Sequence, residues 1–413
     1  MNSQRLPAAS IRALDAITWV RVFMNLKRVQ KAVDYLLTEW AEHDFTSDYV
    51  QIDEDEQTIN LQYPEDDHDY PFSWDDFVGL IDDAKSIEVD IESGYIRTRS
   101  RAFQLVSPVN FEASMFDYHE YEVEVQAADG VSIGYVHNNF LVAFAAIKNG
   151  AFHEYYRPTN YTAIEIRYIN PDDRFPREIE SKLVDSFLFE LAATHNLHFS
   201  KSQFETEFDS VDDPFEGEFD EETGLKLRPL ETFNDGMRLY LAALQVADPE
   251  LRFLSLFKVL EYFAPVVFSL EENDAIRRKL DSPLALAPDG NYIQSVIELV
   301  RSLERRKNDK EMIKTLFVTC IDVLELSKYL PPPRRQPLNY ESKRAEIDNF
   351  NRNLAEVVVA TRNQVAHAKS NYQPQGNELR SEEIPEFNEF LRLAAAQTIR
   401  WYNRLPEHQK ILG

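Results

Sequence analysis

The sequence predicts an α+β protein in which an acidic, strand-rich N-terminal domain precedes an all-helical C-terminal one. Two observations carry this. Apolar residues alternate at period two in short runs between about Tyr49 and Asn170, and recur at helical spacing almost everywhere beyond Glu231. Charge changes at the same place: Met1 to Leu230 holds 19 basic against 45 acidic residues, whereas Glu231 to Gly413 holds 25 against 26. The net charge of −27 is therefore almost wholly N-terminal, and only the C-terminal part is neutral enough to approach a nucleic acid.

A length of 413 residues suits two or three domains, and a hydrophobic content of 44% is ample for packed cores. No run approaches the roughly 18 uninterrupted apolar residues of a membrane span. The first ten residues, MNSQRLPAAS, carry neither the basic nor the apolar block of a signal peptide, so a cytoplasmic chain with no membrane partner is expected. A single cysteine, Cys320, excludes an internal disulfide or a cysteine-based zinc cluster; within Leu316-Phe317-Val318-Thr319-Cys320-Ile321 it reads as core.

From Ile11 to Glu42, Leu14, Ile17, Val20, Phe23, Met24, Leu26 and Val29 stand at helical spacing and predict one or two amphipathic helices. Strands follow where β-branched and aromatic residues alternate, as in Thr58 to Tyr63, Tyr121 to Val125 and Thr162 to Tyr168. A helix is expected from about Glu178 to His195, with Ile179, Leu183, Phe187 and Leu191 on one face, and His198-Phe199 opens a last strand. These elements make up a first domain, 1–204. In Glu205 to Glu222 ten of eighteen residues are acidic, which marks 205–230 as a linker. The second domain, 231–413, is predicted to hold helices at Thr232 to Val246, Pro249 to Phe268, Asn291 to Arg305, Lys310 to Tyr329, roughly Ala345 to Ala368, and Ile384 to Leu405. Asp248-Pro249-Glu250 supplies a capping Asp and a first-turn Pro, and Pro331-Pro332-Pro333 stops a helix.

One stretch of this helical part suggests specific chemistry: Arg362-Asn363-Gln364-Val365-Ala366-His367. An arginine for phosphate charge, an amide for positioning and an imidazole for proton transfer are the groups that let a ribose 2′-hydroxyl attack its own phosphodiester. On a helix, Asn363 and His367 stand four apart on one face, and Arg362, one step away, is long enough to reach the same point. The local residues equally allow an Arg and a His making surface hydrogen bonds at a helix end.

The C-terminal part, from about Glu231 to Leu405, resembles the HEPN family, in particular its Apea-like branch. Two features carry the likeness. Arg362, Asn363 and His367 match the family's Arg-x4–6-His signature with a polar residue after the Arg. The upstream run Leu256-Phe257-Lys258-Val259-Leu260-Glu261-Tyr262-Phe263 is similar to the helix with a Leu-Glu pair found about a hundred residues earlier in such domains. The resemblance implies an all-α bundle acting as an endoribonuclease without metal or other cofactor, as a homodimer in which two copies of the motif face each other. It further implies a place in prokaryotic anti-phage defence of the abortive-infection type, with RNA as substrate and a phage-derived activator. On this reading His367 is general acid/base, Arg362 stabilises the pentacoordinate phosphate, Asn363 orients the imidazole or the phosphate, and Glu261 is a candidate to hold Arg362. A second copy of His367 is an economical source of the other proton-transfer group, because this part of the chain otherwise offers only His408. A non-catalytic HEPN protein, serving as a dimerisation or ligand-binding module, is the alternative.

Some family members carry a tyrosine two residues after the His, where a partner nucleotidyltransferase silences them. Here that position is Lys369, so restraint is expected from the chain's own N-terminal half, acting as a sensor. The acidic stretch, with Phe208, Phe215 and Phe219 interspersed, reads either as a solvated loop or as an arm that mimics RNA phosphates over a basic site. Arg301, Arg305, Arg306, Lys307, Arg334 and Arg335 are either ordinary surface or an RNA track. In the N-terminal half, acidic groups at Asp53 to Glu56, Glu65 to Asp67 and Asp75-Asp76 lack the spacing of a cation site, and His119, His137 and His153 have no nucleophile at recognisable spacing.

Overall fold

The computed structural model describes residues 25–119, 123–153, 156–205, 225–366 and 376–410. Helices and antiparallel strands mix in the N-terminal part and helices alone follow, an α+β arrangement. The described residues divide into two compact units, one within Met1–Val184 and Phe199–Pro229, the other within Asp185–His198 and Leu230–Gly413.

In the first unit a helix, α1 (25–39), precedes a three-stranded antiparallel sheet of β1 (Val50–Asp53), β2 (Thr58–Gln62) and β3 (Asp69–Ser73). Ser73 then caps α2 (Trp74–Ala84), its hydroxyl accepting the N–H of Asp76. A seven-stranded sheet is built from β4 (Glu88–Asp90), β5 (Tyr95–Arg97), β6 (Arg101–Pro108), β7 (Val123–Ala128), β8 (Val131–Val136), β9 (Thr162–Tyr168) and β10 (Phe199–Lys201). Its order is β4-β5-β6-β9-β8-β7, with β10 paired to the end of β6 beyond β5. Helices α3 (Phe111–Tyr118), α4 (Phe140–Lys148) and α5 (Arg177–His195) complete the order.

The central strands are buried on both faces. Phe103 and Leu105 of β6 and Ala163 of β9 join a core with Phe77 and Phe144 from the helices and Trp40 just after α1. On the opposite face Tyr95 and Tyr168 donate their hydroxyls to Glu180 of α5, a carboxylate that is itself buried. A second buried carboxylate, Glu165, is held by the cross-strand neighbours Arg101 and Arg167, each at 2.8 Å.

The acidic groups separate into kinds that sequence makes look alike. Asp53 closes a turn by accepting the N–H groups of Asp55 and Glu56, and Asp76 meets the capping Ser73. Asp66, by contrast, is buried and accepts from His68 N (3.0 Å), Tyr70 Oη (2.9 Å), Thr159 Oγ1 (2.8 Å) and Arg157 Nη1 (3.4 Å), tying the β2–β3 connection to a segment about ninety residues later. Burial alone would raise its pKa; the bonds from His68, Thr159 and Tyr70 outweigh burial and hold it below the usual range.

The second unit consists of α6 (Asp235–Leu244), α7 (Pro249–Leu280), α8 (Gly290–Arg306), α9 (Asp309–Cys320), α10 (Val323–Leu326), α11 (Arg344–Ala366), α12 (Ile384–Asn403) and α13 (Glu407–Lys410), together with the last turns of α5. Three features differ from expectation. Helix α7 runs past Phe268 to Leu280, because nothing between Ser269 and Lys279 breaks it before Ser282-Pro283. The helix expected from Lys310 to Tyr329 is interrupted at Ile321, which is extended, because the Asp322 carboxylate takes the N–H groups of Leu324 and Glu325 and starts a new turn. The tail of α5, expected in the first domain, groups with the helices: Glu190, fully buried, pairs with Arg400 at 2.8 Å, and Arg392 donates to the carbonyl of Ala192 at 2.7 Å.

Among the described residues α7 is the one helix long and apolar enough to cross a membrane by length and composition. Phe253, Leu256, Phe257, Leu260 and Phe263 are buried within the unit, and Gly236 of α6 lies so close that a Cβ there would stand 2.2 Å from the Phe263 ring. Of the expected N-terminal helix, 11–24 lies outside the described residues, as does the acidic stretch except for Glu205.

Two stability predictions follow from the buried charges. Asp66→Asn is expected to lower the unfolding free energy at pH 7 by roughly 3 kcal/mol, read from urea denaturation. Because the folded-state pKa of Asp66 is depressed, its contribution is complete above the unfolded value and fades as pH falls through the folded one; the gap between wild type and variant should therefore begin to narrow only as pH falls below about 4. Glu190→Leu, which strands Arg400, is expected to cost about 3–5 kcal/mol, and the double change Glu190→Leu with Arg400→Met clearly less. Equal costs for single and double variants would contradict the pairing.

Candidate active site

Arg362 and Asn363 stand in the last turn of α11, which ends at Ala366; His367 lies outside the described residues. Buried positions on α11, among them Phe350, Leu354, Val358 and Thr361, face the bundle and leave Arg362 at the edge of that stripe. From there its guanidinium reaches α7. Nη2 lies 3.3 Å from Glu261 Oε1, Nη1 donates to Asn363 Oδ1 at 3.1 Å, and the guanidinium carbon sits 5.4 Å from the centre of the Phe257 ring. Phe257 and Glu261 are one helical turn apart on α7, so one arginine covers both. Sequence reasoning named Arg362, Asn363 and Glu261; it missed Phe257 as a contact, although the four-residue spacing to Glu261 was there to read.

Side-chain exposures of 30% for Arg362 and 42% for Glu261 make this a half-exposed pair. Its net worth is below about 1 kcal/mol, small enough for a phosphate to displace the carboxylate. The guanidinium is nevertheless oriented, by a carboxylate, an amide and an aromatic face at once. Pro265, inside α7, has no N–H to offer the carbonyl of Glu261 four residues earlier, so that backbone acceptor is left without its helical donor.

The chain returns to this point after the motif. Thr361, fully buried and adjacent to Arg362, accepts the backbone N–H of Leu379 at 2.9 Å while donating to the carbonyl of Val357 at 2.8 Å. Both flanks of 367–375 are thereby fixed to α11 near Arg362. Thr361 was not legible as part of the site. Arg334 strengthens the return by donating to the carbonyl of Glu378 at 2.7 Å, and Arg335 donates to Leu330 O and Glu386; these two arginines hold loops. Arg301, Arg305 and Lys307 are exposed, and Arg306 lies 3.7 Å from Glu271.

Arg362 and Asn363 are partly exposed. A cleft of about 650 Å³ in the same unit is lined by Val266, Leu270, Arg277, Trp401 and His408, among others, and includes none of them. Cys320, partly buried, closes α9, and burial pushes its thiol above the ordinary range. Compared with family models, curated proteins and solved structures, the chain finds no match.

These contacts differ in worth, and the difference is measurable. Thr361→Val leaves the buried N–H of Leu379 without an acceptor and is expected to cost about 1–3 kcal/mol in urea unfolding. Glu261→Gln is expected to change stability by less than about 1 kcal/mol.

Proposed function

We propose that the C-terminal unit is a metal-independent endoribonuclease of the HEPN type, acting as a homodimer in anti-phage defence and restrained by the N-terminal unit. The observation that carries the reading is Arg362: one guanidinium, held by Glu261 and Asn363 over Phe257, half-exposed at the end of α11 and five residues before the motif histidine. In the reaction the ribose 2′-oxygen attacks the adjacent phosphorus and the 5′-oxygen leaves. His367 of one protomer takes the 2′-proton, and its counterpart returns a proton to the leaving oxygen. Arg362 neutralises the charge gathering on the phosphorane oxygens. Asn363 acts through Arg362, since its carbonyl oxygen accepts from Nη1 and fixes the plane of the guanidinium. The products are a 2′,3′-cyclic phosphate and a free 5′-hydroxyl.

A second reading, a non-catalytic dimerisation or ligand-binding module, draws on the same pair: a guanidinium engaged by both a carboxylate and an amide is also a means of locking α11 to α7.

The experiment is incubation of the purified chain with a mixed RNA pool in EDTA, alongside His367→Ala and Arg362→Ala, with growth arrest scored on expression in phage-challenged cells. Wild type is expected to cut and leave cyclic phosphate ends, and each variant to lose about 100-fold or more in rate. Equal cleavage by all three would remove this site from the account; wild type silent in the tube and without effect in challenged cells supports the second reading.

A further inference from the structure

A cleft of about 450 Å³ opens in the first unit where the β4–β5 turn, the start of α5 and the end of β10 meet. That volume lies in the usual range for small-molecule sites, roughly 300–1,000 Å³. Residues 1–230 carry 45 acidic side chains against 19 basic ones, yet this lining brings together two cations, Arg177 and Lys201, with the hydroxyls of Ser93, Ser181 and Ser202 and the amide of Gln203.

Both cations are held in place. Arg177 Nη2 donates to Asp90 Oδ2 at 2.7 Å and to Ser93 Oγ at 2.6 Å, and its guanidinium stacks 4.4 Å from the centre of the Tyr95 ring. Its Nε and Nη1 have no hydrogen-bond partner among the described residues. Lys201 Nζ donates to Ser181 Oγ at 3.0 Å. The walls are equally fixed. Gly94, at φ +60°, has no room for a side chain, since a Cβ there would lie 2.1 Å from Ser202 O. Buried Gln104 donates to the carbonyl of Ser93 at 2.7 Å.

We infer that this cleft binds a sugar phosphate, free or as part of a nucleotide: Arg177 and Lys201 take the phosphate oxygens, while Glu92, Ser202 and Gln203 meet sugar hydroxyls. Asp90 and Glu92 offset the two cations, so charge alone does not define the ligand. A carboxylate in the lining accepts from hydroxyls and repels a bare anion, which favours a phosphate carried on a polyol over an inorganic ion. The inference is independent of the ribonuclease reading, because its test measures binding alone.

Isothermal titration of the full chain with ribose 5-phosphate and with AMP, and with citrate as a carboxylate control, tests it. Saturable one-to-one binding of at least one phosphate probe is expected, weakened about tenfold or more by Lys201→Ala and by Arg177→Ala. Gln203→Ala, whose side chain makes no hydrogen bond among the described residues, should weaken it without disturbing the fold, and Lys148→Ala should leave it unchanged. No saturable heat with either phosphate, undiminished affinity in the cleft variants, or citrate bound as tightly as the phosphates would overturn the assignment.

Discussion

The second unit is organised by one constraint: α7 is too apolar to stand in water. At 100° per residue its buried positions from Phe253 to Phe268 sweep an arc of about 200°, wider than a single neighbouring helix can cover. Helices α6, α8, α9, α11, α12 and α13 all pack against it. Hydrophobic burial therefore sets the architecture, and polar contacts settle details at the edges. Gly236 lets α6 approach the Phe263 ring, and Phe390 packs at a tilt against Phe317 and Phe387 where α12 closes the core.

The candidate site is a consequence of where that arc ends. Glu261 lies about 40° round the helix from buried Phe257, at the border between core and solvent. A charged group at such a border draws a counter-charge that can rest its apolar surface on the core beside it. Arginine suits this better than lysine, because its planar guanidinium can lie over a ring and still direct N–H groups sideways. Arg362 does both, over Phe257 and toward Glu261 and Asn363. Thr361 beside it spends a fully buried hydroxyl on the chain's return at Leu379, so this end of α11 is packed although its tip is polar.

What the sequence made legible follows from the range of the forces involved. The strand Thr162–Tyr168 and the start of α7 at Pro249 were readable, because alternation and an Asp-Pro cap are local signals. The break after Cys320 was not, since Asp322 looks the same as a capping residue and as a surface carboxylate until its hydrogen bonds are known. The grouping of the α5 tail with the C-terminal helices depends on Glu190 meeting Arg400, about two hundred residues away, and no period encodes that. Likewise Asp53 and Asp66 sit in similar acidic runs, yet one closes a turn and the other is a buried hub. At the site the residue types were readable and their meeting was not: Glu261 and Arg362 are about a hundred residues apart, and His367, which the proposed chemistry needs most, lies outside the described residues.

Comparing Arg362–Glu261 with the arginine–carboxylate pairs that are buried shows why it, rather than they, is a candidate for chemistry. Glu190 with Arg400 buries its carboxylate, and removing either partner strands a charge in a medium that cannot solvate it; Glu165 is buried likewise and shared between Arg101 and Arg167. Such pairs are fixed by the cost of separation, so an incoming anion gains nothing there. Arg362 and Glu261 are both open to water, and their separation costs less than about 1 kcal/mol. A phosphodiester presents two oxygens to the guanidinium fork, whereas Glu261 meets it through one hydrogen bond at 3.3 Å. Releasing the carboxylate therefore costs less at Arg362 than at the buried pairs. Half-exposure, which makes the contact a poor stabiliser of the fold, is the property that suits it to bind and release a substrate.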